Sequence, residues 1–305
     1  MNKKIKQDKI YVTGIAGMLG YNIYETLRDR ADITGLDVTD IVIPGLSYQK
    51  VSLYDREHVE RSIAEAAPDV LIHTAAMIHV DGCEENPVEA KRLNTEVTEQ
   101  LAAICHKYRI KMIYISTDAV FDGENPELYK EEDPVNPLNV YGQSKLDGEK
   151  CVLNYPENLV LRTNIYGINI QKKQSFGEWI YYSLKEGKTL NMFTDIDFSP
   201  ILVNELAELI YLSCQKNLCG LYHACGTGCI TKYDFGMEMK RAFQINTGDI
   251  VRTTSDNMCF KARRSKHMGM SNSKLCEALQ IRISTPRESI EKFCNLMREG
   301  RKNGN

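Results

Sequence analysis

The sequence predicts an α/β protein with a doubly wound parallel sheet and a smaller α/β C-terminal portion. Short, apolar, β-rich runs recur through the first half, helix-period segments separate them, and a glycine-rich turn follows the first run. Strands alternating with helices need right-handed crossovers, which lay the strands parallel.

Each element follows in order. Residues 9–13 (KIYVT) carry the continuous apolar pattern of a buried strand, and 18–30 carry helical spacing. Strands are expected at 33–37 and around 47–53, then a helix over 56–67. Residues 70–74 (VLIHT) read as another buried strand, 87–108 as a long helix, and 111–116 (KMIYIS) as strand again. A helix over 141–153 and a strand at 159–162 close the series. Beyond Asn164 the rhythm changes: helices at 175–186, 203–215 and 233–243 alternate with short strands such as 220–224, and two last helices lie at 272–279 and 287–297.

The first strand runs into Thr13-Gly14-Ile15-Ala16-Gly17-Met18-Leu19-Gly20, with glycines spaced GxxGxxG. Gly14 permits a tight turn, Gly17 lets backbone approach a pyrophosphate, and Gly20 lets the helix pack closely on the strand. The helix N-terminus offers free N–H groups and the positive end of its dipole. Its place between a strand and a helix makes the turn a dinucleotide-binding signal. Asp37 ends the second strand, where a carboxylate accepts both ribose hydroxyls and repels a 2′-phosphate; no Arg or Lys follows in Val38-Thr39-Asp40. NADH is therefore favoured over NADPH. The expected organisation is a Rossmann-type NAD(P)-binding unit over 1–164, a substrate-binding unit over 165–297 that contributes to the sheet, and a flexible tail over 298–305.

Composition narrows the function. Across 305 residues, 38 Lys and Arg face 41 Asp and Glu, a net charge of −3, which gives no footprint for nucleic acid. No apolar run approaches the roughly 20 residues of a membrane span, and residues 1–9 are polar and lysine-rich, unlike an export signal. The ten cysteines are scattered without a CxxC pair and read as reduced core thiols of a cytoplasmic protein. The six histidines lack metal spacing, Cys219, Cys225 and Cys229 lack companion ligands, and no metal site is expected. His73 reads as a satisfied core histidine, and Asp81, Glu84 and Glu85 as a solvated acidic loop.

Tyr141-Gly142-Gln143-Ser144-Lys145 places Tyr and Lys on one helix face, beyond the strand that ends Ser116-Thr117-Asp118. A free phenol titrates near ~10, too high for proton transfer at neutral pH. A lysine cation and an oxidised nicotinamide nearby both favour phenolate and would lower it. Thr117, or Ser116, can donate to the same substrate oxygen. The set suits reduction of a carbonyl, with Tyr141 giving the proton.

On these residues the chain resembles the extended short-chain dehydrogenase/reductases, and among them the dTDP-4-dehydrorhamnose reductase-like nucleotide-sugar 4-ketoreductases. The resemblance rests on TGIAGMLG at 13–20, HTAAMIHVDGCEENP at 73–87, LNTEVTEQLA at 93–102, STDAVFDG at 116–123 and PLNVYGQSKLDGE at 137–149. RTNIYG at 162–167 and SNSKL at 271–275 extend it toward the C-terminus. It implies that Gly17, Met18 and Leu19 contact the cofactor phosphates, Asp37 the ribose, Ser52 and Leu53 the adenine, and Ala75 and Ala76 the nicotinamide half. Asn94 resembles the family's helix-kink asparagine, counted with the cofactor site and supporting the Tyr-Lys pair. Tyr141 would be the proton donor and Lys145 its ribose-binding partner. Thr117, Asp118 and Asn164 would meet the sugar. Arg264, with Arg263, would clamp a pyrophosphate or else be a surface charge.

The resemblance further implies a nucleotide-sugar substrate in deoxysugar or cell-surface polysaccharide synthesis, with a homodimer as the candidate assembly. Departures from the family pattern fall on the substrate side: Ser52 for a usual Asp, Ala119 for Tyr, Ile165 for Trp, Asp195-Ile196-Asp197-Phe198-Ser199-Pro200 for a Gln/Gly-rich loop, and Arg263-Arg264-Ser265 for an Arg-Pro signature. Two alternatives remain: an epimerase of the same family, and a non-catalytic subunit resembling the regulatory subunit of methionine adenosyltransferase.

Overall fold

Strand β1 (Asp8–Thr13) lies mid-sheet in the computed structural model, which describes residues 8–40 and 42–302. Its Ile10, Tyr11, Val12 and Thr13 are buried on both faces, as a sheet covered by helices on each side requires. On one side it pairs in parallel with β2 (Ala31–Asp37), which carries the short edge strand β3 (Gln49–Lys50). On the other side follow β4 (Val70–His73), β5 (Lys111–Thr117) and β6 (Leu159–Thr163), all parallel. The intervening helices are α1 (Met18–Leu27), α2 (Arg56–Ala66), α3 (Val80–Glu85), α4 (Pro87–Lys91), α5 (Val97–Tyr108) and α6 (Val140–Leu153).

Alternating strand residues feed two cores. Ile10, Val12, Ile72, Ile113 and Leu161 pack with Leu19, Ile23 and Leu27 of α1. Tyr11, Leu71, Met112, Tyr114 and Val160 pack with Val59 and Ile63 of α2 and Val97, Leu101 and Ile104 of α5.

The chain continues through β7 (Ile165–Tyr166), α7 (Phe176–Lys185), β8 (Thr189–Phe193), β9 (Asp197–Phe198), β10 (Ile201–Leu202) and α8 (Val203–Gln215). Next come β11 (Gly220–His223), β12 (Ile230–Thr231), α9 (Lys232–Ala242), β13 (Asp249–Thr253), β14 (His267–Met268), α10 (Ser273–Leu279) and α11 (Pro286–Lys302). β11 returns to the large sheet beside β6, and α8 supplies Leu206, Leu209 and Ile210 to the core under α1. The sheet contribution from beyond residue 164 is therefore one whole strand and a covering helix. A third, aromatic-rich core joins Tyr166, Ile180, Leu184, Phe198, Phe235, Met239, Ile290 and Phe293.

The seven strands run in the order β11-β6-β5-β4-β1-β2-β3. The order in which successive strands are added reverses between β1 and β4, so a crevice opens outside their carboxyl ends, where open α/β sheets take ligands.

Several elements differ from expectation. Only Gln49 and Lys50 of the strand expected around 47–53 are paired, because this edge meets a single neighbour. The helix over 87–108 is interrupted by a π-helical turn at Arg92–Glu96. The acidic loop is instead α3, started by His79, whose Nδ1 accepts from the Gly82 N–H at 2.8 Å. Of the expected tail, residues 298–302 continue α11, anchored through Ile290, Phe293, Cys294 and Met297 on one helical stripe. Residues 303–305, and the lysine-rich residues 1–7, lie outside the described residues.

Candidate active site

The crevice is a cavity of about 1140 Å³. That exceeds the ~300–1,000 Å³ of a single small-ligand pocket and leaves room for two ligands side by side. Gly14, Gly17, Met18 and Leu19 form one wall. Gly14 adopts φ +76°, and a Cβ there would lie 2.9 Å from the Ala75 N. A Cβ on Gly20 would collide with the Gly14 carbonyl oxygen, so this glycine sets the approach of α1 to the turn. Gly20 itself does not line the cavity. No side chain caps the N-terminus of α1, which leaves its first N–H groups for a ligand.

Asp37 ends β2 and lines the cavity while bracing the turn: its Oδ2 accepts from the Ala16 N–H at 3.0 Å and its Oδ1 from the Thr39 N–H at 2.8 Å. Ser52, Leu53, Ala75 and Ala76 line the same half. Gln171, which the sequence reading missed, reaches over the turn and donates to the Ala16 carbonyl at 2.9 Å.

Asn94 stands behind the Tyr-Lys helix rather than in the cavity lining. It is fully buried outside the cavity lining, its side chain consumed by Met77 N–H (2.8 Å), Met77 carbonyl (3.0 Å) and Ser144 Oγ (3.0 Å). It ties the loop after β4 to α6 from within the π-helical turn.

Helix α6 starts at Asn139, whose side chain accepts from the Gly142 N–H at 2.9 Å, and presents Tyr141 and Lys145 to the cavity one turn apart. Burial raises the Tyr141 pKa, opposed by a hydrogen bond with Thr117 and reinforced by Asp118. Burial pulls the Lys145 ammonium from its ordinary 10.5 down to about 7, opposed by Glu149. Its Nζ sits 4.0 Å over the Tyr114 ring. Desolvation is the largest influence on both groups here and favours their neutral forms. A protonated phenol is the state a proton donor needs.

Across the cavity from the glycine turn, Asp118 is buried and doubly held: Thr117 Oγ1 donates to its Oδ1 at 3.0 Å and Asn164 Nδ2 to its Oδ2 at 2.5 Å. Burial raises its pKa, against the Asn164 bond and Lys232. Arg263 is exposed, whereas Arg264 lines the cavity and pairs with Asp81 at 2.9 Å. Arg264 Nη1 is buried with no hydrogen-bond partner among the described residues. Asp81 also accepts from the Ala262 N–H and Glu85 pairs with Lys261, so α3 holds residues 261–264 while Glu84 and Glu85 stay exposed. Ala119, Ile165 and the unforeseen Lys232, Phe176, Phe198 and Trp179 complete this half.

His73 is a satisfied core group, its Nδ1 2.6 Å from Thr13 Oγ1 and its Nε2 3.2 Å from Thr98 Oγ1. Burial, then Lys145, lowers its pKa to about 3; burial, then Arg162, does the same for His223. Both are neutral in the fold and protonate more readily when it opens. Their contribution to stability is complete above the ordinary value of 6.5 and is lost as pH falls toward about 3. The expected result is that the imidazole NMR signals of both stay at their neutral positions at pH 5, while the thermal midpoint declines below pH 6.5. Titration of both rings near their ordinary value would contradict this.

Among the described residues, no group of three or more His, Cys, Asp or Glu converges to hold a metal ion, and no helix is long and apolar enough to cross a membrane. All ten cysteines are free, but Cys219, Cys229 and Cys259 are exposed rather than core thiols.

The chain is 31% identical over 290 residues to methionine adenosyltransferase 2 subunit beta of Mus musculus, covering 92% of this chain and 85% of that protein. It is equally 31% identical over 272 residues to a dTDP-4-dehydrorhamnose reductase of Sinorhizobium fredii, covering 83% and 89%. The crystal structure of dTDP-4-dehydrorhamnose reductase from Bacillus anthracis in complex with NADP superposes with a TM-score of 0.86 at 25% identity, covering 94% of this chain and 98% of that one. A family model described as the RmlD substrate binding domain matches residues 8–299. With the switch-point cavity and the Tyr-Lys helix in place, the chain belongs to the RmlD substrate binding domain family, within the extended short-chain dehydrogenase/reductases.

Proposed function

We propose that the protein is an NAD(P)H-dependent reductase of the 4-keto group of a nucleotide-linked 6-deoxysugar. One observation carries the reading: Thr117, Tyr141 and Lys145 converge at the cavity beside the glycine turn, with the phenol held protonated. The residues present fit a dinucleotide, through the uncapped N-terminus of α1, the side-chain-free surface of Gly17 and the carboxylate of Asp37. Gly17, Met18 and Leu19 would hold its pyrophosphate, Asp37 its adenosine ribose, Ser52 and Leu53 its adenine, and Ala75 and Ala76 the nicotinamide half. When bound, the reduced nicotinamide supplies the hydride that goes to the carbonyl carbon.

The chain's own residues do the rest. Tyr141 donates its proton to the carbonyl oxygen, Thr117 fixes the phenol, and Lys145 holds the ribose and restores charge balance as phenolate forms. Asp118 and Asn164 bind the sugar. Arg264, which lines the cavity, takes a pyrophosphate oxygen through a charge-assisted hydrogen bond. Asp37 supports NADH over NADPH, although the Bacillus anthracis relative is described with NADP. The portion beyond residue 164 serves as the substrate-binding unit. Free thiols support a cytoplasmic setting, and a homodimer is the proposed assembly.

The test is a panel of nucleotide 4-keto-6-deoxysugars with NADH or NADPH, followed at the nicotinamide absorbance band. The reading expects oxidation with at least one sugar, faster with NADH; no oxidation with any would overturn it. One observation favours a second reading, a regulatory subunit: the 31% identity to methionine adenosyltransferase 2 subunit beta spans 92% of this chain. Co-purification with a synthetase, without ketosugar reduction, would favour it.

A further inference from the structure

Lys232 breaks two local rules. It is the first residue of α9, where the helix dipole opposes a cation, and it lies in the cavity, where desolvation opposes any charge. Desolvation takes its pKa from 10.5 to about 7, and Asp118 is what resists that fall. Its Nζ stands 3.1 Å from the Phe198 ring centre and 4.6 Å from that of Phe176, contacts that seat an ammonium without giving it an acceptor. Thr231 caps the helix, accepting from the Asp234 N–H at 3.0 Å, so the backbone has no need of a lysine here. A locally unfavourable residue aimed into a ligand cavity is the kind of inconsistency that marks function.

The neighbours say what it meets. Thr117 bonds to Tyr141 on one side and to Asp118 on the other, and Asn164 holds the far oxygen of Asp118. A sugar whose reacting oxygen lies at Tyr141 and Thr117 places its next ring position at Asp118, with Lys232 facing it. A hydroxyl at that position suits both groups: its hydrogen goes to a remaining lone pair of the Asp118 carboxylate and its own lone pair accepts from Lys232. The pair is net neutral and matches a neutral polyol better than an acidic sugar.

We propose that Lys232 is a specificity-determining residue, bracketing with Asp118 a free hydroxyl on the ring carbon next to the reacting carbonyl. The inference rests on the ketosugar reading above and sharpens its substrate class to sugars that keep this hydroxyl.

Trp179, the chain's only tryptophan, lines the cavity and lies 6.0 Å from Phe176, so its fluorescence reports binding. With NADH present, dTDP-rhamnose, its 3-deoxy analogue and dTDP alone are titrated into wild type and Lys232→Met. Wild type should hold dTDP-rhamnose about 10–100-fold tighter than the 3-deoxy analogue, as a hydrogen bond to a charged group gives. Lys232→Met should bring that ratio to about one, with affinity for dTDP and NADH within roughly twofold of wild type. A ratio that Lys232→Met leaves intact, or an equal loss for dTDP, overturns the assignment of Lys232 alone. Wild type that binds dTDP-rhamnose and its 3-deoxy analogue equally overturns this assignment, whereas wild type that oxidises NADH with no sugar of the nucleotide panel overturns the ketosugar reading beneath it.

Discussion

Tyr141→Phe should lower turnover by about 10²–10⁴-fold, the range for removing a positioned general acid, while leaving NADH affinity within roughly twofold. Phenylalanine keeps the ring that packs at the start of α6 and deletes only the hydroxyl. In the fold that hydroxyl is protonated, because burial outweighs the Thr117 hydrogen bond and the Asp118 charge acts in the same direction as burial. The variant therefore loses the proton and nothing else that the cavity needs for binding. Nicotinamide absorbance gives turnover and Trp179 fluorescence gives NADH affinity. Unchanged turnover would remove Tyr141 from the chemistry.

The largest stability effect belongs to the charge pair behind that helix. Arg162 and Glu149 form two parallel bonds, 2.9 Å from Nε and 2.8 Å from Nη2, with side chains only 4% and 2% exposed. Ser116 Oγ donates to the same carboxylate at 2.6 Å, and Phe121 lies 5.0 Å from the guanidinium carbon. Arg162→Met strands a carboxylate in the core and should cost about 3–5 kcal/mol, the usual penalty for breaking such a pair. For a chain of this size that lowers the thermal midpoint by about 10 °C. The double variant Arg162→Met, Glu149→Leu should recover most of the loss, because no charge is left behind. A single variant costing under about 1 kcal/mol would show that the carboxylate finds water or a proton elsewhere.

The central strands were readable because burial on both faces leaves runs such as Val70-Leu71-Ile72 without polar interruption. Where that burial is missing, the pattern fades. β3 has one neighbour and two exposed residues, and β7, β9, β10, β12 and β14 are two residues long, too short for any period. The π-helical turn shifts hydrogen bonds without changing residue types, and α3 begins with a histidine cap that no common capping pattern announces.

The site divides in the same way. The glycine turn, Asp37, Tyr141 and Lys145 were legible because each is tied to a fixed spacing on one element. Gly20 works through the packing of α1, as its place in the turn implies, whereas Asn94, counted with the cofactor site by resemblance, spends its amide on Met77 and Ser144. Lys232, Gln171 and Trp179 reach the cavity only through tertiary folding, and the one local clue was a lysine at a helix start.

Reduction of a ketosugar by this chain makes a claim about two atoms, the sugar C4 and its oxygen. Incubating the protein with a nucleotide 4-keto-6-deoxysugar and NADH deuterated in the transferred position tests it most directly. The account predicts one NADH oxidised per sugar, deuterium at C4 of the product, and loss of both in Tyr141→Phe. Altered sugar configuration with no net NADH oxidation and no deuterium at C4 would make the protein an epimerase and contradict the account.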